Sequence, residues 1–192
     1  RYGVRAAFCR FAPYDVLSDS SSVQTSSLEI ISSKAGGASA PGYTKIKIFY
    51  GGARRKTWCE YFDGPALMSA DSLNAGGDFN VSEYSVGEGS NHHSFSFSGY
   101  DSPDFYALSL EGGYGVMVDN IAMRGSSGTF FHRVSQQQLR RFYNYLNVKL
   151  IILQFGGNTL PALKDTAMAK SYAGYMRYQL SLVKKLAPDA SI

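Results

Sequence analysis

His-Ser-Phe-Ser-Phe-Ser, residues 93–98, alternates polar and aromatic side chains. Because successive side chains of a β-strand point to opposite faces, this pattern predicts a strand with one buried face and one exposed face. The same period of two recurs over residues 27–31, 45–50, 57–61 and 79–84, and glycine-rich turns separate these segments. Residues 1–112 are therefore predicted to form an antiparallel β-sandwich or jelly roll.

The pattern changes near residue 113. Residues 114–123 and 148–155 are apolar runs without alternation, as expected for strands of a parallel sheet that are buried on both faces. Ser135 opens a Ser-x-x-Gln capping box, and a second helix is expected from about Asp165 to Leu186. We therefore predict a two-part α+β chain in which part of an α/β parallel sheet, residues 113–192, follows the sandwich.

Composition limits the classes of partner. The formal net charge of the 192 residues is +4 and the basic residues are scattered, so nucleic-acid binding is not expected. No apolar run approaches the ~20 residues of a membrane span. Cys9 and Cys59 fit either a disulfide or two buried thiols. The first residues resemble the middle of a strand and the last precede an expected one, which predicts a fragment, and the sequence does not determine the oligomeric state.

Two glycine-containing segments are the candidates for chemistry. Residues 120–125 and 156–158 each end an apolar run, and parallel sheets bind ligands beyond the carboxyl ends of their strands. A backbone N–H at Gly125 and the side-chain amide of Asn158 are the predicted donors of an oxyanion hole. The predicted substrate-binding rim consists of Arg124, Ser126 and Gly157.

Other candidate residues favour simpler interpretations. Ser127 lies in Gly-Ser-Ser-Gly, but the spacing of a nucleophile elbow fails at Thr129, so a turn hydroxyl is favoured over a nucleophile paired with His132. His92 and His93 are adjacent on a predicted strand and face opposite sides, so no metal site is predicted.

The two glycine segments resemble blocks of the SGNH hydrolase superfamily, the GDSL-type esterases. The second block of that family, Asn-x-x-x-x-Gly, matches residues 120–125, and the third, Gly-x-Asn, matches residues 156–158. Thr159 departs from the aspartate that usually follows. The sequences of residues 101–106, 118–128 and 148–158 resemble those of exported members of Bacteroidetes type, which are akin to peptidoglycan O-acetylesterases. In these proteins a β-sandwich interrupts the hydrolase domain.

The resemblance implies a flavodoxin-like hydrolase sheet, an exported location at the periplasm or cell surface, and an acyl-enzyme mechanism without a cofactor. The implied substrate is an acyl ester, such as O-acetyl on peptidoglycan or another glycan. The family's Gly-Asp-Ser and Asp-x-x-His blocks do not occur in this sequence, so the chain by itself is expected to be inactive. The alternative is a non-catalytic glycan-binding protein with an α/β scaffold, in which Trp58 would contact the glycan. An acyltransferase with the same site remains open.

Overall fold

The computed structural model of the protein describes residues 9–12, 22–31, 42–87, 90–121 and 125–192. The described residues divide into two compact units, one within Phe8–Val118 and the other within Asp119–Ile192. The domain assignment of residues 1–112 as an inserted sandwich and 113–192 as a partial hydrolase domain stays a prediction.

The first unit consists of two antiparallel sheets, as predicted for its β-rich part. One sheet has the strand order β1-β6-β3-β4 and the other β5-β2-β7. The strands are β1 (Gln24–Ile31), β2 (Lys45–Gly51), β3 (Thr57–Asp63), β4 (Ala66–Leu73), β5 (Asn80–Ser85), β6 (His92–Gly99) and β7 (Asp104–Glu111).

The period of two that predicted these strands is the result of one-sided burial. Ile46 and Ile48 of β2 are buried, as are Phe95 and Phe97 of β6, while the residues between them are more exposed. The core cluster comprises Ile46, Ile48, Tyr50, Cys59, Tyr61, Leu73, Phe95 and Phe97. Cys59 is a free, buried thiol and Cys9 a free, exposed one, so no disulfide joins them.

The sequence did not predict β4 or β7. The sequence of β4, Ala-Leu-Met-Ser-Ala-Asp-Ser-Leu, is mostly exposed because the strand lies at the edge of its sheet. It is held by its backbone pairing with β3 rather than by an apolar face, so its side chains carry little periodic signal.

The second unit contains the two predicted helices. Ser135 caps α1 (Gln136–Tyr145) by accepting a hydrogen bond from the N–H of Gln138 at 3.3 Å. Asp165 caps α2 (Thr166–Leu186) by accepting one from the N–H of Met168 at 2.8 Å.

The described residues do not form the parallel sheet that is predicted beside these helices. Among the described residues, 114–121 are exposed and form no strand, and 148–155 form only one parallel bridge, between Leu150 and Ser191. A strand buried on both faces needs neighbours that pair its backbone, and residues 149–151 have such a partner only in Ser191 within the described part of the chain. The flavodoxin-like part of the fold class stays a prediction.

Residues 9–12 are tied to the sandwich by a buried ion-pair network. The Arg10 guanidinium lies 2.6 Å from the carboxylate of Asp101 and 2.9 Å from that of Asp104, and all three side chains are at most 15% exposed. Burial opposes ionisation of Asp101, but hydrogen bonds from the N–H groups of Arg54 and Ser102 and the charge of Arg10 outweigh it, so its pKa lies below the ordinary value.

His93 is buried at one end of the same core. Its Nδ1 lies 3.0 Å from the hydroxyl of Tyr61 and 3.8 Å from the carboxylate of Asp63, while its Nε2 has no hydrogen-bond partner in the described structure. Burial lowers the pKa of His93, Asp63 opposes that shift and His92 adds to it. The neutral imidazole is therefore the form that the core accepts.

We expect Arg10→Met to destabilise the first unit by about 3–5 kcal/mol, because it leaves two buried carboxylates without their cation. Urea unfolding followed by the fluorescence of Trp58, the single tryptophan, measures this. Lys56→Met, at an exposed position, is the control and should change stability by no more than about 0.5 kcal/mol. Equal unfolding midpoints for the two variants would contradict the role given to Arg10.

We also expect the stability of the first unit to fall between about pH 7 and pH 5. The pKa of His93 in the folded protein lies below its unfolded value of about 6.5, so the unfolded chain takes up the proton first as the pH drops. His93→Phe should flatten this dependence in urea unfolding at several pH values. His132→Phe, in the other unit, is the control and should leave the pH dependence of stability unchanged. If the stability of His93→Phe still fell between about pH 7 and pH 5, a group other than His93 would be responsible for the proton uptake.

Candidate active site

Residues 125–128 form a tight loop with its own hydrogen bonds. Gly125 and Gly128 have positive φ angles of 78° and 79°, which favour glycine. The hydroxyl of Ser126 accepts a hydrogen bond from the N–H of Gly128 at 3.1 Å, and the hydroxyls of Ser127 and Thr129 lie 2.9 Å apart. The hydroxyls of both loop serines are therefore engaged within the loop itself.

The second predicted segment, residues 156–158, begins a turn that contacts this loop. Gly156 has a φ of 120°, and its carbonyl accepts hydrogen bonds from the N–H groups of Thr159 and Leu160 at 2.8 Å each. The side chain of Asn158 is exposed, and its Nδ2 donates to the carbonyl of Ser126 at 3.5 Å, a long hydrogen bond. The last residue of the second predicted segment thus contacts the residue that follows the first.

Close packing supports the same contact. A β-carbon added to Gly128 would lie 2.5 Å from Cγ of Phe155, so only glycine fits there without a shift. Tyr172 of α2 donates its hydroxyl proton to the carbonyl of Ser127 at 2.9 Å. The loop is therefore held by Phe155 and Asn158 from one segment and by Tyr172 from the helix.

The arrangement leaves neutral donors at its surface. Gly125 is exposed, and a β-carbon there would meet nothing within 4 Å. The Asn158 amide has two N–H groups, and the contact with Ser126 uses only one of them. Two neutral N–H groups beside one loop are the kind of donors that stabilise an oxyanion without adding charge.

The remaining predicted rim residues differ in position. Arg124 lies outside the described residues. Ser126 is half-buried with its hydroxyl bound to Gly128, so its carbonyl rather than its hydroxyl contacts the second segment. Gly157 is exposed in the turn, with open space around its α-carbon.

The local pair of Ser127 and His132 does not form. The hydroxyl of Ser127 contacts Thr129, and Nδ1 of His132 lies 3.1 Å from Nε2 of Gln179 on α2. That contact makes Nδ1 the acceptor of the amide proton. The turn-hydroxyl interpretation of Ser127 agrees with this geometry.

Sequence reasoning missed the roles of Tyr172 and Gln179. Gln179 of α2 is fully buried, and its Oε1 has no hydrogen-bond partner in the described structure. A glutamine four residues after Tyr175 and three before Leu182 is the signal in the sequence for a polar contact within an apolar helical face. Met168 and Tyr175 of the same helix are exposed.

The predicted histidine and tryptophan positions lie in the first unit. His93 is fully buried and His92 half-buried, and no group of three metal-ligating side chains occurs among the described residues. Trp58 is 44% exposed on β3. No helix in the described ranges combines the length and apolar character needed to cross a membrane.

Comparisons with known proteins give weak matches. No family model and no curated protein sequence matches the chain. Among solved structures, it is similar to a family two carbohydrate esterase from Clostridium thermocellum in complex with cellohexaose, with 13% identity and a TM-score of 0.33. That match covers 57% of this chain and 30% of the esterase chain.

A second solved structure is the Podospora anserina GH26-CBM35 beta-(1,4)-mannanase, with 11% identity and a TM-score of 0.29. It covers 67% of this chain and 29% of the mannanase chain. The chain therefore spans less than a third of the length of either structure, and TM-scores this low do not establish a shared fold.

We expect Gly128→Ala to loosen the loop, because its β-carbon would displace Phe155 and its positive φ is strained for alanine. Thermal unfolding of the second unit should begin earlier, and proteolysis near residues 125–128 should accelerate. Gly174→Ala, inside α2 with open space around its α-carbon, is the matched control and should stabilise by about 0.5–1 kcal/mol. Unchanged proteolysis of Gly128→Ala would contradict the packing argument.

Proposed function

We propose that residues 125–158 supply the oxyanion hole of a serine esterase of the SGNH/GDSL type. The observation that carries the proposal is the contact between the Asn158 amide and the carbonyl of Ser126, the residue after Gly125. Through it the last residue of the second segment contacts the residue that follows the first, and the family resemblance assigns both segments to one site. The proposed substrate, by that resemblance, is an acyl ester such as O-acetyl on peptidoglycan or another glycan.

In the proposed reaction a serine oxygen attacks the ester carbonyl while a histidine takes its proton. The carbonyl oxygen then becomes an oxyanion, which accepts hydrogen bonds from Gly125 N–H and the Asn158 amide. When this intermediate collapses, the histidine gives the proton to the departing oxygen and the glycan hydroxyl is released. Water then attacks the acyl-serine with the histidine again as the base, which releases the free acid and restores the serine hydroxyl. One such donor typically lowers the barrier by about 2.7–4 kcal/mol.

The nucleophile and the base are not assigned to residues 1–192. Ser127 and His132 bind other partners, and the Gly-Asp-Ser and Asp-x-x-His blocks are not found in the sequence. We propose that both groups belong to other segments of the complete protein, and that the 192-residue chain alone does not turn over esters.

A non-catalytic glycan-binding protein is the second candidate function. The observation in its favour is the exposed indole of Trp58 on a sheet face lined with serines. It predicts glycan retention without ester turnover by the complete protein, whereas the esterase predicts turnover. Product analysis with an alcohol acceptor separates hydrolysis from acyl transfer.

In the complete protein, we expect Asn158→Ala to lower kcat for acetyl-ester hydrolysis by about 10²–10³-fold with little change in KM, because a transition-state donor is lost. Asn158→Asp should lower kcat at least as far, since a carboxylate repels the oxyanion. Asn144→Ala, at an exposed position of α1, is the matched control.

Release of acetate from O-acetylated peptidoglycan and from p-nitrophenyl acetate measures both parameters. Circular dichroism must first show that each variant is folded, because Asn158 also contacts the loop. A folded Asn158→Ala protein with kcat within two-fold of wild type would rule out the oxyanion role. Turnover by the isolated 192-residue chain would contradict the assignment of the nucleophile elsewhere.

A further inference from the structure

The outer face of the sheet β1-β6-β3-β4 has an unusual composition. Side chains that alternate with the buried ones point away from the core on each strand, and their cross-strand pairing is in register. Small hydroxyls are its commonest side chains, beside two carboxylates and several apolar groups. The face comprises Thr25, Ser27, Glu29 and Ile31 on β1, His92, Ser94, Ser96 and Ser98 on β6, Trp58, Glu60 and Phe62 on β3, and Leu67, Ala70 and Ser72 on β4.

Trp58 is 44% exposed on this face. Its strand neighbours directly opposite are Ser98 on one side and Ser72 on the other, and neither has the bulk to cover an indole. The ring nitrogen donates to Oε1 of Glu60 at 3.3 Å. The polar edge of the indole is thereby paired within the strand, and part of the side chain remains exposed to solvent.

A second aromatic ring lies at the same end of the sheet. Tyr100 follows the last residue of β6, two positions after Ser98, and is 44% exposed, the same fraction as Trp58. The guanidinium of Arg55 lies 6.0 Å from the centre of its ring, within the range of a cation–π contact. Two accessible rings therefore border the row of serines.

We propose that this face binds an extended, neutral polysaccharide chain, with a sugar ring stacked on Trp58. A pyranose ring has an apolar C–H surface for the indole and hydroxyls at its edge. Serine hydroxyls both donate and accept hydrogen bonds, as sugar hydroxyls do, so Ser98 and Ser72 can bind them in either direction.

The charges of the face favour a neutral ligand over a charged one. Its strands carry the carboxylates Glu29 and Glu60, and the exposed Arg55 lies beside Tyr100 at the end of the sheet, so charges of both signs adjoin the face and neither sign dominates. The side chains of Ser94, Ser96 and Ser98 form one row along β6, which suits an extended chain that lies along the strand. A coiled polysaccharide would touch it at isolated points. This binding site is independent of the proposed ester hydrolysis, because it uses the first unit alone.

The single tryptophan makes the test direct. Chitohexaose, mannohexaose and xylohexaose are titrated into the 192-residue chain while the emission of Trp58 is followed. We expect a saturable change with at least one of these extended chains, and at least ten-fold weaker binding of maltohexaose, which coils. No saturable change with any extended chain would overturn the proposal.

Variants are then compared by calorimetric titration with the best ligand. Trp58→Ala should weaken binding at least ten-fold, Trp58→Phe less, and Ser98→Val several-fold. Tyr114→Ala removes a fully exposed ring from the same unit and is the matched control with unchanged affinity. If a folded Trp58→Ala protein and Ser98→Val both bind as the wild type does, the face is not the site.

A second copy of the chain is the competing occupant of this face, and sedimentation of the chain without sugar tests for it. Concentration-dependent association that Trp58→Ala abolishes would assign the face to a second copy of the chain and overturn the proposal. Monomeric behaviour together with Trp58-dependent sugar binding would support it. Because neither readout requires ester turnover, failure of the esterase proposal would leave these results unaffected.

Discussion

Burial of aromatic side chains between the two sheets is the constraint on which the first unit depends. The rings of Tyr61 and Phe95 stack with centroids 4.9 Å apart, and Phe97 lies 4.9 Å from Phe105 of the facing sheet. If the strand pairing shifted by one residue, these rings would point toward solvent instead of the core. Burial of the rings therefore fixes the register. The same register sets Trp58 beside Ser98 on the opposite face. The outer surface is therefore a consequence of the core.

Close approach of backbone segments has the corresponding role in the second unit. Gly128 admits Phe155 to a distance that a β-carbon would prevent, and Asn158 follows Phe155 by three residues. Asn158 and Tyr172 then bind the two successive carbonyls of Ser126 and Ser127. These contacts limit the movement of the loop, and electrostatic stabilisation of a transition state requires donors that are fixed before the ligand binds.

The two proposed sites are chemically complementary. Neutral amide donors suit a charge that develops during acyl transfer, and neither donor titrates near neutral pH. Aromatic and hydroxyl groups suit the unchanging surface of a polysaccharide. An enzyme that acts on an acylated polymer benefits from holding the chain by groups that take no part in the reaction, since binding and chemistry can then be adjusted separately.

Local sequence determined the elements whose formation depends on neighbouring residues. Alternation predicted β2, β3 and β6, and the caps Ser135 and Asp165 predicted where the helices begin. Such patterns arise from the geometry of one strand or one helix, so they can be recognised in the sequence without knowledge of the rest of the chain.

Only the tertiary structure decided the contacts between residues distant in sequence. The edge strand β4 carries little pattern because its neighbour, rather than its own side chains, stabilises it. The partners of Arg10 lie more than 90 residues away, and the contacts of Tyr172 and Gln179 span 45 and 47 residues. A parallel sheet likewise depends on strands that are distant in sequence, and a single bridge is all that the described residues contribute. Such pairings are selected by packing of the whole chain, so no local pattern specifies them.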